Sequence, residues 1–192
     1  MKISFNSPVI LIFTLIAVIV LGITEWVSPT FTAKYFTSTG HFDFGNVLDY
    51  WRLLSHAIGH ANWQHLVGNF SFILLIGPIL EEKYGSKNLL IMMIFTAVIT
   101  GILNNATSDV GLLGASGIVF MMILLGSLVN LRSGTIPLTF IFIVALYLGQ
   151  EIYDAFFKED QVSQFGHIIG GICGMLFGFV FNNKKVPVKV TK

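Results

Sequence analysis

The residues best able to do chemistry in this chain are Ser116, set in Gly114-Ala115-Ser116-Gly117, and His167, which follows Gly166. A serine hydroxyl is a poor nucleophile until a base takes its proton, and a histidine within hydrogen-bond reach is the usual base. The oxyanion that develops on attack at a carbonyl then needs donors placed in advance. His65 and Asn69 could supply side-chain donors, since they stand four residues apart and so share one face of a helix. Ser116 opens an apolar run, and the backbone N–H groups at a helix N-terminus lack intrahelical partners and point toward a bound anion. Each residue alone has a plainer reading. A lone membrane serine bonds back to its own helix, a lone asparagine ties helices together, and glycines near a histidine can be packing. The four at one depth are harder to dismiss.

The elements that must position them are membrane helices. Of 192 residues 54% are hydrophobic and only 11% charged, where soluble domains run at roughly 25% charged. Such a chain cannot cover a globular surface with polar groups, so it reads as an all-α polytopic membrane protein, multi-pass in the lipid bilayer, with residues 1–192 forming a single domain. The net charge of +1 points to no nucleic acid and no strongly anionic partner. The single cysteine, Cys173, lies in an apolar run and cannot form an internal disulfide. A span needs roughly 17–25 apolar residues, and backbone polar groups in lipid must pair internally, which makes the spans helices. Six segments qualify or nearly so: Val9–Trp26, His65–Leu80, Leu89–Leu103, Ala115–Leu131, Pro137–Tyr153 and Phe165–Phe181, the second and third being short. The first runs long for a signal peptide and lacks an Ala-x-Ala site before Glu25-Trp26.

One set of flanks carries Lys2, Lys83, Lys87, Arg132, Lys184, Lys185, Lys189 and Lys192; the other carries Lys34, Arg52 and Lys158. Eight cations against three place both termini in the cytoplasm, with 183–192 as a cytoplasmic tail. The long connection 28–64 is then external, and its aromatic residues lay it in the membrane interface. With this topology the second, fourth and sixth spans all run inward, so His65 with Asn69, Ser116 and His167 lie at one depth near the outer surface. Gly166, Gly170, Gly174 and Gly178 recur every four residues in the sixth span, a spacing that lets helix backbones approach closely. If the partner is the fourth span, His167 comes near Ser116.

These residues resemble the rhomboid intramembrane serine proteases over about Trp51 to Gly174. The likeness takes in Trp51-Arg52, then His56, His60, His65 and Asn69 in the family's H-x-x-x-H-x-x-x-x-H-x-x-x-N pattern. Glu81 matches the acidic residue just past the second span. Gly114-Ala115-Ser116-Gly117 matches the nucleophile motif G-x-S-G, and Gly166-His167 with Gly170 and Gly174 matches the span that bears the base. The resemblance implies a six-helix bundle and a Ser–His dyad without an acidic third member. Ser116 would be the nucleophile and His167 the general base, and the Ser116 amide with Asn69 and His65 would hold the oxyanion. It implies no cofactor and no metal, single-span membrane proteins as substrates, and entry gated by the fifth helix and the loop before the sixth. Where the family often has tyrosine stacked on the base, this chain has Phe120, which keeps the ring and loses the hydroxyl.

Three rivals are weaker. His56 and His60 have the i, i+4 spacing of a zinc site, but position 57 is alanine and no carboxylate lies between His56 and His65 to act as base, so they are expected to tie the loop together. A catalytically inactive rhomboid-like membrane-protein binder would be expected to have lost Ser116 or His167. A transporter would gather its polar residues near the midplane. His41 falls outside every motif and is expected in solvent or the interface. The short tails suggest a bacterial plasma membrane.

Overall fold

An apolar run opened by Pro8, whose fixed φ suits the first turn of a helix, forms α1 (Pro8–Trp26). A computed structural model describes residues 5–129, 136–148 and 164–182. Within the long connection lie α2 (Phe31–Tyr35) and α3 (Val47–Ser55). Asn62 caps α4 (Trp63–Tyr84) by accepting from the His65 amide at 2.9 Å. Gly85 turns the chain into α5 (Ser86–Thr107). Next come α6 (Ser116–Ser127), α7 (Leu138–Ile143) with a π-helical turn Val144–Leu148 after it, and α8 (Gln164–Asn182).

Among the described residues three helices are long and apolar enough to cross a membrane: α1, α4 and α5. α6 is a shorter apolar helix, and α8 contains the shorter apolar stretch Gly166–Phe181. The second and third segments, expected to be short, extend in the structure to 22 residues each. Counting apolar residues stopped too early, because Glu81 and Asn104 lie inside the helices with their polar groups hydrogen-bonded. The fourth is shorter than expected, ending at Ser127 rather than Leu131. Residues Ile118–Leu125 of α6 are all buried, so α6 is the central helix of the bundle and has little contact with lipid. Residues 149–153 of the Pro137–Tyr153 segment, the loop before α8, the 183–192 tail, and Lys2, Arg132 and Lys158 lie outside the described residues.

Side-chain contacts show how α1 and α4 run antiparallel. At one end the Trp26 and Trp63 rings lie 5.8 Å apart. At the other, the buried Glu81 carboxylate accepts from the Val9 and Ile10 amides, each at 3.1 Å, and from the Ser86 hydroxyl at 2.7 Å. Glu81 thus sits in the last turns of α4, not past it, and does for α1 what Ser7 does not, since Ser7 makes no side-chain cap. Two of the orphan N–H groups of α1 are satisfied from another helix. Glu81→Ala is expected to destabilise the protein by about 1.5–3 kcal/mol, the range for hydrogen bonds to a charged group. Glu81→Gln should fall between, as thermal denaturation of purified protein would measure. An unchanged melting point in Glu81→Ala would show that water replaces the carboxylate at no cost.

The connection 28–64 is a folded unit. Arg52 donates through Nε to the Lys34 carbonyl at 3.0 Å and through Nη1 to Asp49 at 2.7 Å, and the Ser55 hydroxyl donates to the Tyr35 carbonyl at 2.8 Å. The bonds to Lys34 and Tyr35 fasten α3 to the end of α2, and the Asp49 contact holds the Arg52 guanidinium within α3. Phe44, Val47, Tyr50 and Trp51 remain exposed on its surface, and His41 lies 3.5 Å from Asp109 with both side chains in the open.

Candidate active site

The site is built on the packing of α8 against α6. A Cβ added at Gly170 would collide with the Gly117 carbonyl, and one at Gly174 with the Met121 carbonyl. One at Gly178 would lie 2.5 Å from Leu128 Cδ1. The glycine stripe therefore places the two backbones in direct contact, as small residues permit in a membrane. From the other side, a Cβ at Gly117 would lie 3.3 Å from the Gly166 carbonyl and 3.3 Å from Thr100 Cγ2. Gly117 follows Ser116 and Gly166 precedes His167, so this contact draws the two candidate residues to one place. One turn along α6, the Phe120 ring stacks face to face on the His167 imidazole, with centroids 4.6 Å apart and planes 4° from parallel.

The turn into α6 meets α4. Gly114 has φ +114, a conformation that side chains rarely adopt. It also has no room for a side chain, since a Cβ there would lie 2.7 Å from His65 Cε1 and 3.5 Å from Asn69 Nδ2. His65, Asn69 and the residues just before Ser116 are thereby neighbours. Ser116 is the first residue of α6, and its N-cap, Ala115, offers no side-chain acceptor, so the first amides of α6 are open to an anion. Ser116, His65 and His167 are half-buried and Asn69 is buried. The Ser116 hydroxyl makes no hydrogen bond among the described residues. Because α6 starts level with Gly114 and Asn69, about a turn or more beyond the start of α4, the serine is recessed below the end of the bundle. Irregular chain at that depth is tolerable because it is enclosed in protein: the Gly114 amide donates to the His56 carbonyl at 2.9 Å, and Asn104 Nδ2 donates to the Val110 carbonyl at 2.9 Å.

The loop histidines are tied as expected, and more tightly. His56 Nε2 bonds the Ala97 carbonyl of α5 at 2.9 Å. His60 Nδ1 bonds the Ile58 carbonyl at 3.0 Å, and its Nε2 meets Asn69 Nδ2 at 3.0 Å. Spacing alone does not reveal the His60–Asn69 pair, because the chain breaks its helical period between residues 56 and 62. The contact of Thr100 with Gly117 is likewise invisible in the sequence, where Thr100 is one more residue of an apolar helix. Burial holds His56 and His60 down at about 4 each, against the raising effect of their carbonyl partners. The unfolded chain, with histidines near 6.5, therefore takes up protons that the folded chain refuses as pH drops. Stability is fully present above about pH 6.5 and is expected to decline as pH falls from there toward about 4. Melting temperatures measured across that interval would test it; a level profile would mean that neither ring is held neutral.

The Rhomboid domain family matches residues 48–184, a stretch that contains His65, Asn69, Ser116 and His167. This chain belongs to the rhomboid family. Among its relatives is the rhomboid protease GlpG of Haemophilus influenzae, 26% identical over 133 residues that cover 68% of this chain and 69% of that protein. Rhomboid-related protein 2 of Mus musculus is 34% identical over 145 residues, covering 67% of this chain and 47% of the relative. Rhomboid-like protein 11, chloroplastic, of Arabidopsis thaliana is 26% identical over 141 residues, covering 70% of this chain and 45% of the relative. Beyond the first of these, the chain spans about half the length of the rhomboids it matches. Family membership and the apolar helices make this rhomboid an integral multi-pass membrane protein. Its relatives come from bacteria, animals and plants, so the likeness does not decide the kingdom.

Proposed function

We propose that this rhomboid is an intramembrane serine endopeptidase that cuts single-span membrane proteins in or beside their transmembrane segments. The observation that carries the reading is the contact of Gly117 with Gly166, with Phe120 stacked on His167, which draws the start of α6 to the histidine of α8. Ser116 Oγ attacks the scissile carbonyl while His167 takes its proton, and His167 then returns that proton to the leaving amine. Water, deprotonated by the same imidazole, hydrolyses the acyl-enzyme and frees Ser116. The Ser116 amide, Asn69 and His65 receive the oxyanion in both halves. The Ser116 hydroxyl makes no hydrogen bond among the described residues, and catalytic hydrogen bonds often tighten only once substrate is bound. In this reading residues 1–192 form one six-span domain with both termini in the cytoplasm, and the cleft faces the opposite side.

The test is incubation of the purified protein, in detergent or vesicles, with a single-span membrane protein. Cleavage together with labelling of Ser116 by a fluorophosphonate is expected, and chelators should have no effect. Retention of the substrate without cleavage would favour the inactive binder, and chelator inhibition reversed by zinc would return the metal reading.

A further inference from the structure

The buried pair formed by His60 and Asn69 joins the external loop to α4 beside the start of α6. We propose that His60 is a positioning residue, which holds the Asn69 amide with its nitrogen turned toward the entry to α6. This deepens the reading of Ser116 as nucleophile and rests on it. The tautomer of His60 follows from its partners. A carbonyl oxygen only accepts, so at 3.0 Å from Ile58 O the Nδ1 atom carries the proton and donates. The neutral ring then has a lone pair on Nε2, and Asn69 Nδ2 donates to it at 3.0 Å.

That second bond decides which end of the amide is nitrogen, a choice the shape of asparagine leaves open. One N–H of Nδ2 is used on His60, and the other leaves the same nitrogen at a fixed angle in the amide plane. Nδ2 lies 3.5 Å from where a Cβ of Gly114 would stand, two residues before Ser116. The remaining N–H is thus available beside the turn that leads into Ser116, where a bound carbonyl would gather charge. Turned over, the amide would place its oxygen there and repel an oxyanion. His60 cannot swing away, being 1% exposed and packed against the His65 ring at 5.0 Å and the Phe70 ring at 5.6 Å. Burial also keeps the ring neutral at physiological pH, so the lone pair on Nε2 persists.

The experiment is a cycle of His60→Ala, Asn69→Ala and the double variant, with His60→Gln beside them. kcat and KM on a single-span substrate are measured well below each variant's melting point. His60→Ala should lower kcat on the order of tenfold to a hundredfold, as small misplacements of catalytic groups do, with KM nearly unchanged. In the Asn69→Ala background the same change should lower kcat no further. His60→Gln, whose side-chain oxygen can accept from Asn69, should recover most of the loss. Equal fold-losses in both backgrounds, or a kcat that only follows the folded fraction, would overturn the inference and leave His60 as a loop tie. If Asn69→Ala leaves kcat unchanged while Ser116→Ala abolishes cleavage, the positioning role is overturned and the nucleophile stands. If Ser116→Ala still cleaves, both fall. Should His60→Ala fail to fold, ¹⁵N spectra of the wild-type imidazole decide the matter: a proton on Nδ1 supports the inference, and one on Nε2 overturns it.

Discussion

Ser116→Ala is expected to reduce cleavage to background while leaving the fold intact. The hydroxyl makes no hydrogen bond among the described residues, and alanine is at least as good a residue for the first turn of α6. Deleting it therefore removes no hydrogen bond to the described residues but does remove, in the proposed reaction, the atom that attacks. In a serine hydrolase, loss of nucleophile or base costs on the order of 10⁶ in kcat, and the two losses do not add. His167→Ala should accordingly match Ser116→Ala in turnover, and the double variant should be no worse than either. The singles differ in stability, because His167→Ala also removes the ring that Phe120 stacks on. Turnover and melting temperature on the same samples check both statements. Appreciable turnover in folded Ser116→Ala, or a double variant far below both singles, would sink the dyad.

Gly170→Val should be the most damaging substitution that touches neither candidate catalytic side chain. Its Cβ would meet the Gly117 carbonyl, which is helix backbone and cannot rotate away. Overpacking typically costs about 1–3 kcal/mol and at times more, and relief here requires α6 and α8 to move apart. That movement would carry Ser116 away from His167, so activity should vanish even in the fraction that folds. Gly68→Ala is the comparison, since a Cβ on that glycine of α4 meets nothing within 4 Å and should be tolerated. Expression, melting temperature and turnover of the two variants would separate close contact from a general intolerance of α-helical glycine replacement. Wild-type activity in Gly170→Val would mean that the two helices do not depend on backbone contact.

Much of this protein is legible in its residues, for identifiable reasons. The apolar runs declare membrane helices because lipid admits no unpaired backbone. The glycines of α8 announce a close helix contact because their spacing equals the period of a helix face. Ser116, His167, His65 and Asn69 stand out because polar residues are costly in a span and keep their place only for a reason. Three things depended on tertiary structure. Helix lengths did, because Glu81 and Asn104 look like stops until their partners are seen across space, at the start of α1 and at Val110. The identity of the helix facing the glycine stripe did, since spacing announces a small-residue face but not what fills it; Gly117, Met121 and Leu128 do. The bond between His60 and Asn69 did as well. Sequence periodicity reports only which residues share a face of one helix, and this pair joins a loop to a helix through the direction in which each side chain can offer or accept a proton.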